Sequence, residues 1–391
     1  MSRPRIDALL MAQEGLSSLR RRDIEDLQLR KLNALLAREK ARGGFYRSLP
    51  ERLESLSALS SLPFTTEEDL AAHASGLLLR SQSEIQRVLS DATSGTTGAA
   101  KRVFYTEGDC ARTVELFMAG LGELIFPGSV TMIGFPFSGP FGLGDLIARA
   151  VERLGARPLK LGPGLSYGEL ARVLEAERPD SFVGMPVQLL SLLRVCGRGS
   201  LRRALVSGDA CPDAVLRGCE ELLGSRLFPH YGSREMALGG AICCPAHAGM
   251  HLRENHVIAE IVDEAGRPLP PGETGELVIT TIGMEAMPLI RYRTGDYTRV
   301  LPGPCPCGSQ VLRLDAVRRK EGAEMAALDE QLFSLPFVAD YRAERRGGRL
   351  FLTVLSCGEG RLPPLDAELS LRPVRPEDRP LYPGKRKVVT R

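Results

Sequence analysis

The most informative segment of the chain, residues 93–101, reads Thr93-Ser94-Gly95-Thr96-Thr97-Gly98-Ala99-Ala100-Lys101. Glycine allows a backbone turn whose N–H groups face a ligand, hydroxyl groups add hydrogen-bond donors, and lysine adds a positive charge. This composition predicts a loop that holds a polyanion, which we interpret as a nucleoside triphosphate. The glycine spacing, and the lack of Ser or Thr after the lysine, separate it from the G-x-x-x-x-G-K-[ST] loop. A flexible linker is the alternative, but apolar, strand-like runs at 88–89 and 103–105 flank the loop and argue against it.

The composition is that of an ordinary globular protein and excludes several classes of partner. The chain has 391 residues, of which 43% are hydrophobic and 25% charged, so we expect two or three domains. A net charge of +3 and the lack of tryptophan argue against nucleic acid or an anionic membrane as the main partner. No apolar run reaches the ~18 residues of a membrane span, and residues 1–7 lack an apolar signal core. Nine mostly scattered cysteines favour a reducing, cytoplasmic location.

Apolar periodicity divides the chain into an α/β region and a later β-rich region. Residues 6–42 carry apolar side chains at helical spacing among many charges, which predicts amphipathic helices. Between residues 103 and 260, helical stretches alternate with short apolar runs at 130–134, 181–184 and 204–208, so we expect a layered α/β domain with parallel strands. Residues 256–263 and 275–281 alternate like paired strands joined by a Gly- and Pro-rich turn.

Two short motifs further along the chain add groups that suit a nucleotide. In Tyr231-Gly232-Ser233-Arg234-Glu235, the tyrosine can pack flat against a purine and the glutamate can bind a hard cation such as Mg²⁺. Alone, this pentapeptide is more typical of a turn that opens a helix. In Thr294-Gly295-Asp296, an aspartate on a glycine-supported turn can accept hydrogen bonds from two ribose hydroxyls. The phosphate loop and these two motifs are therefore informative as an ordered set.

Taken together, these motifs resemble those of the adenylate-forming superfamily, and within it the phenylacetate–CoA ligase branch. The resemblance covers roughly residues 25–315, returns at Pro383-Gly384-Lys385, and includes the runs 62–70, 249–252 and 272–281. It implies an α/β fold with a large multi-layer N-terminal adenylation domain at 1–316 and a β-rich subdomain at about 256–312. A small, mobile α+β C-terminal domain, shortened relative to the family, is expected at 317–391.

The resemblance also implies a two-step reaction. A carboxylate attacks the α-phosphate of ATP to give an acyl-adenylate and pyrophosphate, and a thiol, usually that of coenzyme A, then displaces AMP. The β- and γ-phosphates would be held by the loop residues Thr93, Ser94, Gly95, Thr96, Thr97, Gly98 and Lys101. Of these, Thr96 would lie near the metal. Tyr231 and Gly232 would contact adenine, Glu235 would coordinate Mg²⁺, and Asp296 would hold the ribose. Adenylyl transfer depends on charge neutralisation and in-line positioning, which agrees with these residue types.

The C-terminal part matches the family less closely. Arg319 and Glu321 match the arginine and aspartate of the family hinge, but the loop expected next is largely missing, because residues 323–325 lead directly into a helix-like run. Lys385 matches the catalytic lysine that stabilises charge on the α-phosphate, with Lys387 as a close competitor and a solvated basic tail as the alternative. Adenylation is therefore supported by the residues, whereas transfer to coenzyme A is left open.

Two further segments match parts of the family that border the nucleotide and the acid. Asp209 stands where the family usually carries glutamate beside the adenine. Phe135, Phe137 and Phe141 match an aromatic- and Gly-rich stretch of the acyl pocket, which favours an aromatic or apolar acid. Aromatic residues at this spacing fit a hydrophobic core equally well, so both interpretations stay open.

Cysteine and histidine residues form a second candidate site. Cys243-Cys244, His247, His251 and Cys305-Pro306-Cys307-Gly308 flank the β-rich region, and thiolate with imidazole favours Zn²⁺. Some members of the resembled branch carry cysteine and histidine at these positions, and Cys244, His251, Cys305 and Cys307 fit that placement best. The Cys-x-Cys spacing is tighter than the usual interval, so reduced, unliganded cysteines are the alternative.

We therefore predict a ligase that uses ATP and Mg²⁺ to activate a small carboxylic acid and passes it to a thiol, coenzyme A foremost. Two alternatives stay open: an adenylating acyl transferase that uses a protein or carrier thiol, and a non-catalytic nucleotide-binding relative. The phosphate loop, Glu235, Asp296 and Lys385 argue against the non-catalytic alternative. The sequence leaves open the identity of the acid and whether the chain forms an oligomer.

Overall fold

A computed structural model describes residues 3–91, 101–139, 141–319 and 322–390 of the chain. Lys101 and Arg319 belong to these ranges. Two sets of predicted residues lie outside the described ranges. They are the hinge residue Glu321 and the phosphate-loop residues Thr93, Ser94, Gly95, Thr96, Thr97 and Gly98. Within the described ranges, none of the helices combines the length and apolar character needed to cross a bilayer.

The elements alternate between helix and strand in the middle of the chain and are richer in strands later. The α-helices of the described ranges are α1 (Arg5–Glu14), α2 (Arg21–Arg42), α3 (Glu67–His73), α4 (Glu107–Leu121), α5 (Leu143–Arg153), α6 (Tyr167–Glu177), α7 (Pro186–Cys196), α8 (Asp213–Leu223) and α9 (Ala323–Phe333). The strands are β1 (Ile85–Asp91), β2 (Lys101–Thr106), β3 (Val130–Ile133), β4 (Arg157–Lys160), β5 (Ser181–Gly184), β6 (Arg203–Val206), β7 (Phe228–Tyr231), β8 (Ala241–Cys243), β9 (Met250–Leu252), β10 (Ile258–Val262), β11 (Gly275–Thr280), β12 (Tyr292–Thr298), β13 (Arg313–Leu314), β14 (Arg318–Arg319), β15 (Val338–Arg346), β16 (Arg349–Ser356), β17 (Glu368–Pro373) and β18 (Val389–Thr390).

The chain divides into two compact units, each made of two separate segments. The first unit combines Met1–Gly120 with His230–Arg318, and the second combines Leu121–Pro229 with Arg319–Arg391. The domain limits expected from the sequence, and the mobility expected for the C-terminal domain, stay predictions.

Antiparallel pairing dominates the first unit. β1 pairs with β2, and β10, β11 and β12 form a separate antiparallel sheet in that order. The last two residues of β7 pair with β8, which pairs with β9, and β9 pairs with β13. The paired strands predicted at 256–263 and 275–281 are confirmed as β10 and β11, with Val262 opposite Glu276.

The two N-terminal helices belong to the first unit, and α2 buries one face, as predicted for an amphipathic helix. On α2, Ile24, Leu27, Leu32 and Leu35 are buried at intervals of three to five residues, so they lie on one face of the helix. The helix ends at Gly43, whose φ of +68° is the left-handed conformation that glycine adopts without steric cost.

The second unit contains the parallel sheet predicted from the alternating pattern. Its strands lie in the order β4-β3-β5-β6-β7 and all of these neighbours are parallel, with a helix between each pair of consecutive strands from β3 to β7. The predicted runs at 130–134, 181–184 and 204–208 are confirmed as β3, β5 and β6. Helices connect the parallel strands because the chain must cross back to the end of the sheet at which the previous strand began before it can start the next one.

The C-terminal segment of the second unit is an α+β arrangement, as expected from the resemblance. Its sheet has the order β17-β16-β15-β18, and β15 and β16 form its antiparallel centre. The segment packs on helix α7: the Ser191 hydroxyl donates to the Ala339 carbonyl at 2.7 Å, and Arg194 donates to the Phe333 carbonyl at 2.8 Å. Buried apolar residues of α7, α8, α9 and β15 share one core. The fold class is therefore α/β with mixed sheets and a small C-terminal part rich in strands.

Candidate active site

Lys101 begins β2 and lies between two glutamates in the first unit. Its Nζ is 2.7 Å from Oε1 of Glu235 and 3.3 Å from Oε1 of Glu67. Lys101 and Glu235 are buried, whereas the side chain of Glu67, at the start of α3, is 56% exposed. Buried charges are stable only when they are paired, and here each buried group provides the other's partner. The structure thus brings together the residues predicted to bind the polyphosphate and Mg²⁺.

The two buried charges fix each other's protonation state. Burial opposes the charged form of Lys101, but the carboxylates of Glu235 and Glu67 outweigh burial and raise the pKa of the ammonium. Burial alone would raise the pKa of Glu235, but the charge and hydrogen bond of Lys101 outweigh it and lower that pKa. Both groups are therefore charged near neutral pH. An ammonium can neutralise phosphate oxygens, and an ionised carboxylate can bind a divalent cation.

The backbone that follows Glu235 is held in an uncommon conformation. Ala237 and Leu238 have φ values of +53° and +63°, in the left-handed region that costs energy for residues with a β-carbon. A β-carbon on Gly232 would lie 2.3 Å from the carbonyl oxygen of Leu238, so only glycine fits there. The glycine that we predicted for the nucleotide site thus also permits the tight turn that carries Glu235.

Tyr231 and Asp296 form a second pair in the first unit. The hydroxyl of Tyr231, at the end of β7, donates to Oδ2 of Asp296 on β12 at 2.7 Å. Asp296 is buried and follows Gly295, whose φ is +69°. The N–H of Asp296 donates to Oγ1 of Thr294 at 3.0 Å. The predicted turn is wrong, because these residues lie within strand β12, at an irregularity in its pairing with β11. The structure therefore joins the residues predicted for adenine and for ribose.

Sequence reasoning missed two residues that support these pairs. Tyr292 begins β12, and its hydroxyl is 3.5 Å from Oε1 of Glu235, so one strand contacts the glutamate and carries Asp296. Arg291, just before it, has a φ of +50°, and its guanidinium donates to Glu260 at 3.0 and 3.1 Å. The only signal was position, because both residues lie in the run that leads into the Thr-Gly-Asp motif.

The predicted residues Asp209 and Lys385 belong to the second unit. The Asp209 carboxylate, in the loop after β6, accepts hydrogen bonds from the N–H groups of Arg386 and Ala210, both at 2.9 Å. Burial raises the pKa of Asp209, against the opposing effect of those bonds and of the charges of Arg386 and Lys385. Lys385 is exposed, as is Arg319 in β14. Asp209 is thus bonded to the residue that follows the predicted catalytic lysine.

The aromatic residues proposed for the acyl pocket differ in burial. Phe135 is 1% exposed, and a β-carbon on Gly208 would lie 2.8 Å from its ring, so it packs behind the Asp209 loop. Phe137 and Phe141 are only partly buried, and the guanidinium of Arg149 lies 5.2 Å from the centre of the Phe141 ring. Phe135 has the burial of a core residue, whereas Phe137 and Phe141 keep surface that a ligand could contact.

Four predicted metal ligands lie together in the first unit. One ligand atom from each of Cys244, His251, Cys305 and Cys307 lies within 4.8 Å of all the others, and no other such His, Cys, Asp or Glu group occurs in the described ranges. The Sγ atoms of Cys244 and Cys305 are 3.7 Å apart, and Sγ of Cys307 is 3.4 Å from Nε2 of His251. Burial lowers the pKa of His251 to about 4, with a contribution from the Arg313 charge, so its imidazole is neutral near pH 7. Three thiols and a neutral imidazole fit the donor set of a closed, tetrahedral Zn²⁺ site.

Comparison with known proteins gives consistent results. Residues 91–286 match the AMP-binding enzyme family. The chain is 31% identical over 329 residues to the phenylacetate–coenzyme A ligase of Thermus thermophilus, a region that spans 79% of this chain and 73% of that one. It is 32% identical over 268 residues to the Escherichia coli phenylacetate–coenzyme A ligase, covering 65% of this chain and 60% of the relative. A solved structure of 2-hydroxyisobutyryl-CoA ligase in the postadenylation state has a TM-score of 0.74, with 18% identity over 93% of this chain and 89% of that chain.

The fold, the site and these similarities define the class as AMP-forming acid–thiol ligases. The chain belongs to the adenylate-forming AMP-binding enzyme family and, within it, to the phenylacetate–CoA ligase-like group. It spans about 60% of the length of the Escherichia coli and Pseudomonas putida phenylacetate–coenzyme A ligases.

Proposed function

We propose that this chain activates a carboxylic acid with ATP and then transfers the acyl group to the thiol of coenzyme A. In the first step a carboxylate oxygen bonds to the α-phosphorus and pyrophosphate leaves, which gives an acyl-adenylate. In the second step the sulfur of the thiol bonds to the acyl carbon, AMP leaves, and the thiol proton is released. The Thermus thermophilus and Escherichia coli relatives are phenylacetate–coenzyme A ligases, which supports the choice of thiol.

The observation that carries this proposal is the position of Lys101 between Glu235 and Glu67, with Nζ–Oε1 distances of 2.7 and 3.3 Å. Mg²⁺–ATP brings both a divalent cation and a polyphosphate. Glu235 would take the cation, and Lys101 would then pair with phosphate oxygens instead of Glu235. A lysine suits such an exchange because its ammonium is a point charge on a flexible stem, without the directional fork of arginine. Catalysis in this class depends on charges placed where negative charge develops.

The Tyr231–Asp296 pair would receive the nucleoside. The Asp296 carboxylate can accept hydrogen bonds from the vicinal ribose hydroxyls, and the bond from Tyr231 fixes its orientation. The ring of Tyr231 is then available to pack against adenine. Phe137 and Phe141, which are partly buried, favour an aromatic or apolar acid as the substrate.

One observation favours a second acceptor, a protein or carrier thiol. β14 ends at Arg319 and α9 begins at Ala323, so the chain has three residues where the family carries the loop that lines the path of the thiol. A protein that brings its own thiol could complete such a site. This alternative shares the adenylation step, and it differs only in what accepts the acyl group.

We infer that Cys244, His251, Cys305 and Cys307 hold a structural Zn²⁺. Cys244 follows β8, His251 lies in β9, and both cysteines of the Cys-x-Cys pair precede β13. Four protein ligands leave no coordination position for a substrate, so the ion would tie these strands together rather than take part in the reaction.

A single experiment tests the reaction and identifies the acid. A panel of aromatic, branched and straight-chain carboxylic acids is screened for acid-dependent ATP–pyrophosphate exchange without a thiol, with Glu235→Gln as the matched inactive control. Exchange with one class of acid supports adenylation, and later addition of coenzyme A, with detection of the acyl thioester, tests the acceptor. An active adenylating protein that forms no thioester favours the carrier thiol. A protein that binds ATP but catalyses no exchange with any acid favours the non-catalytic relative and contradicts the proposal.

A further inference from the structure

The segment that carries Lys385 is closed by one buried carboxylate. Asp340, on β15, is 1% exposed. Its Oδ2 accepts the N–H of Leu381 at 2.7 Å, and its Oδ1 lies 3.0 Å from Nη1 of Arg386. The two ends of the run 381–386 are therefore held by the same side chain, and Lys385 lies within that closed loop.

The guanidinium of Arg386 is the centre of this arrangement. Its side chain is 5% exposed, and its Nη2 is 3.0 Å from Oδ1 of Asp329 on α9. The rings of Phe333, Tyr341 and Tyr382 lie 5.1, 4.5 and 4.8 Å from its central carbon, which is cation–π distance. A guanidinium between two carboxylates and three aromatic faces is fixed in both direction and distance.

The same residue connects the loop to the parallel-sheet segment of the second unit. The N–H of Arg386 donates to Oδ2 of Asp209, in the loop that follows β6, at 2.9 Å. The small pocket that Gln188, Asp209, Tyr382 and Arg386 help to line has a volume of about 10 Å³, which is room for about one water molecule. The cluster is therefore a packed anchor and not a second binding site.

Lys385 is the exposed residue beside this anchor. The flanking Arg386 is held by three carboxylates, and the Tyr382 hydroxyl donates to the carbonyl of Lys387 at 2.9 Å. The charge of Lys385 is one of the influences that lower the pKa of Asp209, against the larger effect of burial. The backbone on both sides of the lysine is thus fixed, while its side chain stays accessible.

We propose that Arg386 is a positioning residue, which anchors the 381–387 loop through Asp329, Asp340 and Asp209 and so presents Lys385 for adenylate formation. This inference rests on the proposed function for its catalytic part. Arg386 does not touch the reacting atoms; it acts through Lys385. A displacement of about 1 Å at a reacting group can lower a rate by about 10²-fold, which is why an anchor next to the lysine matters.

The test compares Arg386→Met, Arg386→Lys, Lys385→Ala and the double variant Lys385→Ala/Arg386→Met in acid-dependent ATP–pyrophosphate exchange. We expect Arg386→Met to lose exchange about 10²-fold, because the lysine is no longer positioned. We expect the double variant to lie within about 3-fold of Lys385→Ala alone, because the two residues act as one unit. A purely structural role would instead make the two losses additive. The control is Arg372→Met, which removes a more exposed Arg–Asp pair (2.7 Å to Asp378) outside the 381–387 loop and should keep wild-type exchange.

A second readout does not depend on the reaction. Trypsin cleaves after exposed lysines, but only when the local backbone can leave its folded conformation. We expect cleavage after Lys385 to be at least about 10-fold faster in Arg386→Met and Arg386→Lys than in the wild type. Arg386→Lys keeps the charge without the fork, so it remains informative if Arg386→Met does not fold. Unchanged cleavage, or additive losses in the double variant, would overturn the anchoring role. Wild-type protein without exchange would remove the proposed function, while the cleavage result would still decide the anchor.

Discussion

Each compact unit of this chain contains a cation with a largely buried side chain between two carboxylates, and these two clusters are built differently. In the first unit, Lys101 lies between Glu235 and Glu67, and one of the two carboxylates is more than half exposed. In the second unit, Arg386 lies between Asp329 and Asp340, both buried, and three aromatic rings surround it. The lysine cluster can exchange its partners for a metal and phosphates, because an ammonium has no fixed bonding plane. The arginine cluster cannot do so without leaving buried charges unpaired.

Charged clusters therefore serve two purposes in this chain. A functional site needs charges whose partners can be replaced by a ligand. A structural anchor needs charges whose partners cannot be replaced.

The largest effect is expected from the lysine cluster. Lys101→Ala and Glu235→Gln should each lower acid-dependent ATP–pyrophosphate exchange by about 10²-fold or more, because each removes charge that the polyphosphate and its metal require. Glu67→Gln is the matched control, since it touches the same ammonium at 3.3 Å but is exposed. An exposed ion pair contributes little, so its loss should change exchange less than about 5-fold. Equal losses in Glu67→Gln and Glu235→Gln would show that the cluster is an anchor like that of Arg386.

A smaller and more selective effect is expected at the nucleoside pair. Asp296→Ala should raise the KM for ATP about 10- to 100-fold, because hydrogen bonds to a charged acceptor contribute about 1.5–3 kcal/mol. Tyr231→Phe removes only the hydroxyl that donates to Asp296 at 2.7 Å and keeps the ring, so we expect a rise in KM below about 10-fold. Steady-state kinetics with varied ATP measures both. An unchanged KM in Asp296→Ala would exclude this residue from the nucleotide site.

The Cys/His cluster differs from both ion-pair clusters, because there we propose that a bound Zn²⁺ supplies the positive charge. Purified protein prepared without chelators should contain about one zinc per chain, because four ligands fit one tetrahedral ion. Cys305→Ser should lower both the zinc content and the Tm, since the binding free energy of a structural ion contributes to folding. Cys357→Ser, at an exposed cysteine, is the control and should change neither. Protein that contains no zinc would favour unliganded, reduced cysteines.

The elements that the sequence predicted correctly are those whose neighbours in the chain carry the information. The parallel strands β3, β5 and β6 were recognisable because each is a short apolar run between helical stretches. Short motifs contain Glu235, Asp296 and the four metal-ligand candidates, so the sequence alone was enough to name them as candidates. The structure places Glu235 beside Lys101, Tyr231 beside Asp296, and the four candidate ligands together, and the roles of these residues stay predictions.

What the sequence could not predict is which charged residues pair across long separations. The run after residue 379 has many basic residues and fits a solvated tail equally well. Arg386 pairs with aspartates that lie 46 and 57 residues away, and no spacing rule connects them. The sequence did not predict a role for Glu67 either, because only the packing of α3 against β2 brings its side chain to Lys101. Local patterns determine elements and motifs, whereas partner choice depends on the packed structure.

The smallest effect concerns a buried group that carries no charge at all. His230, on β7 beside Tyr231, stacks on Phe117 with ring centres 4.8 Å apart, and burial lowers its pKa from 6.5 to about 4. In the unfolded chain this histidine binds a proton below pH 6.5, while in the folded chain it stays neutral until about pH 4. The contribution of His230 to the free energy of unfolding is therefore fully present above pH 6.5 and falls as the pH drops toward 4, by roughly 1 kcal/mol at pH 5.5.

Denaturant unfolding at pH 7.5 and 5.5 measures this loss of stability. The difference between the two pH values should be smaller for His230→Gln than for the wild type, whereas the control His73→Gln, at an exposed histidine, should show the wild-type difference. The same pH difference in all three proteins would mean that the pKa of His230 is the same in the folded and unfolded chain, and would contradict the lowering by burial.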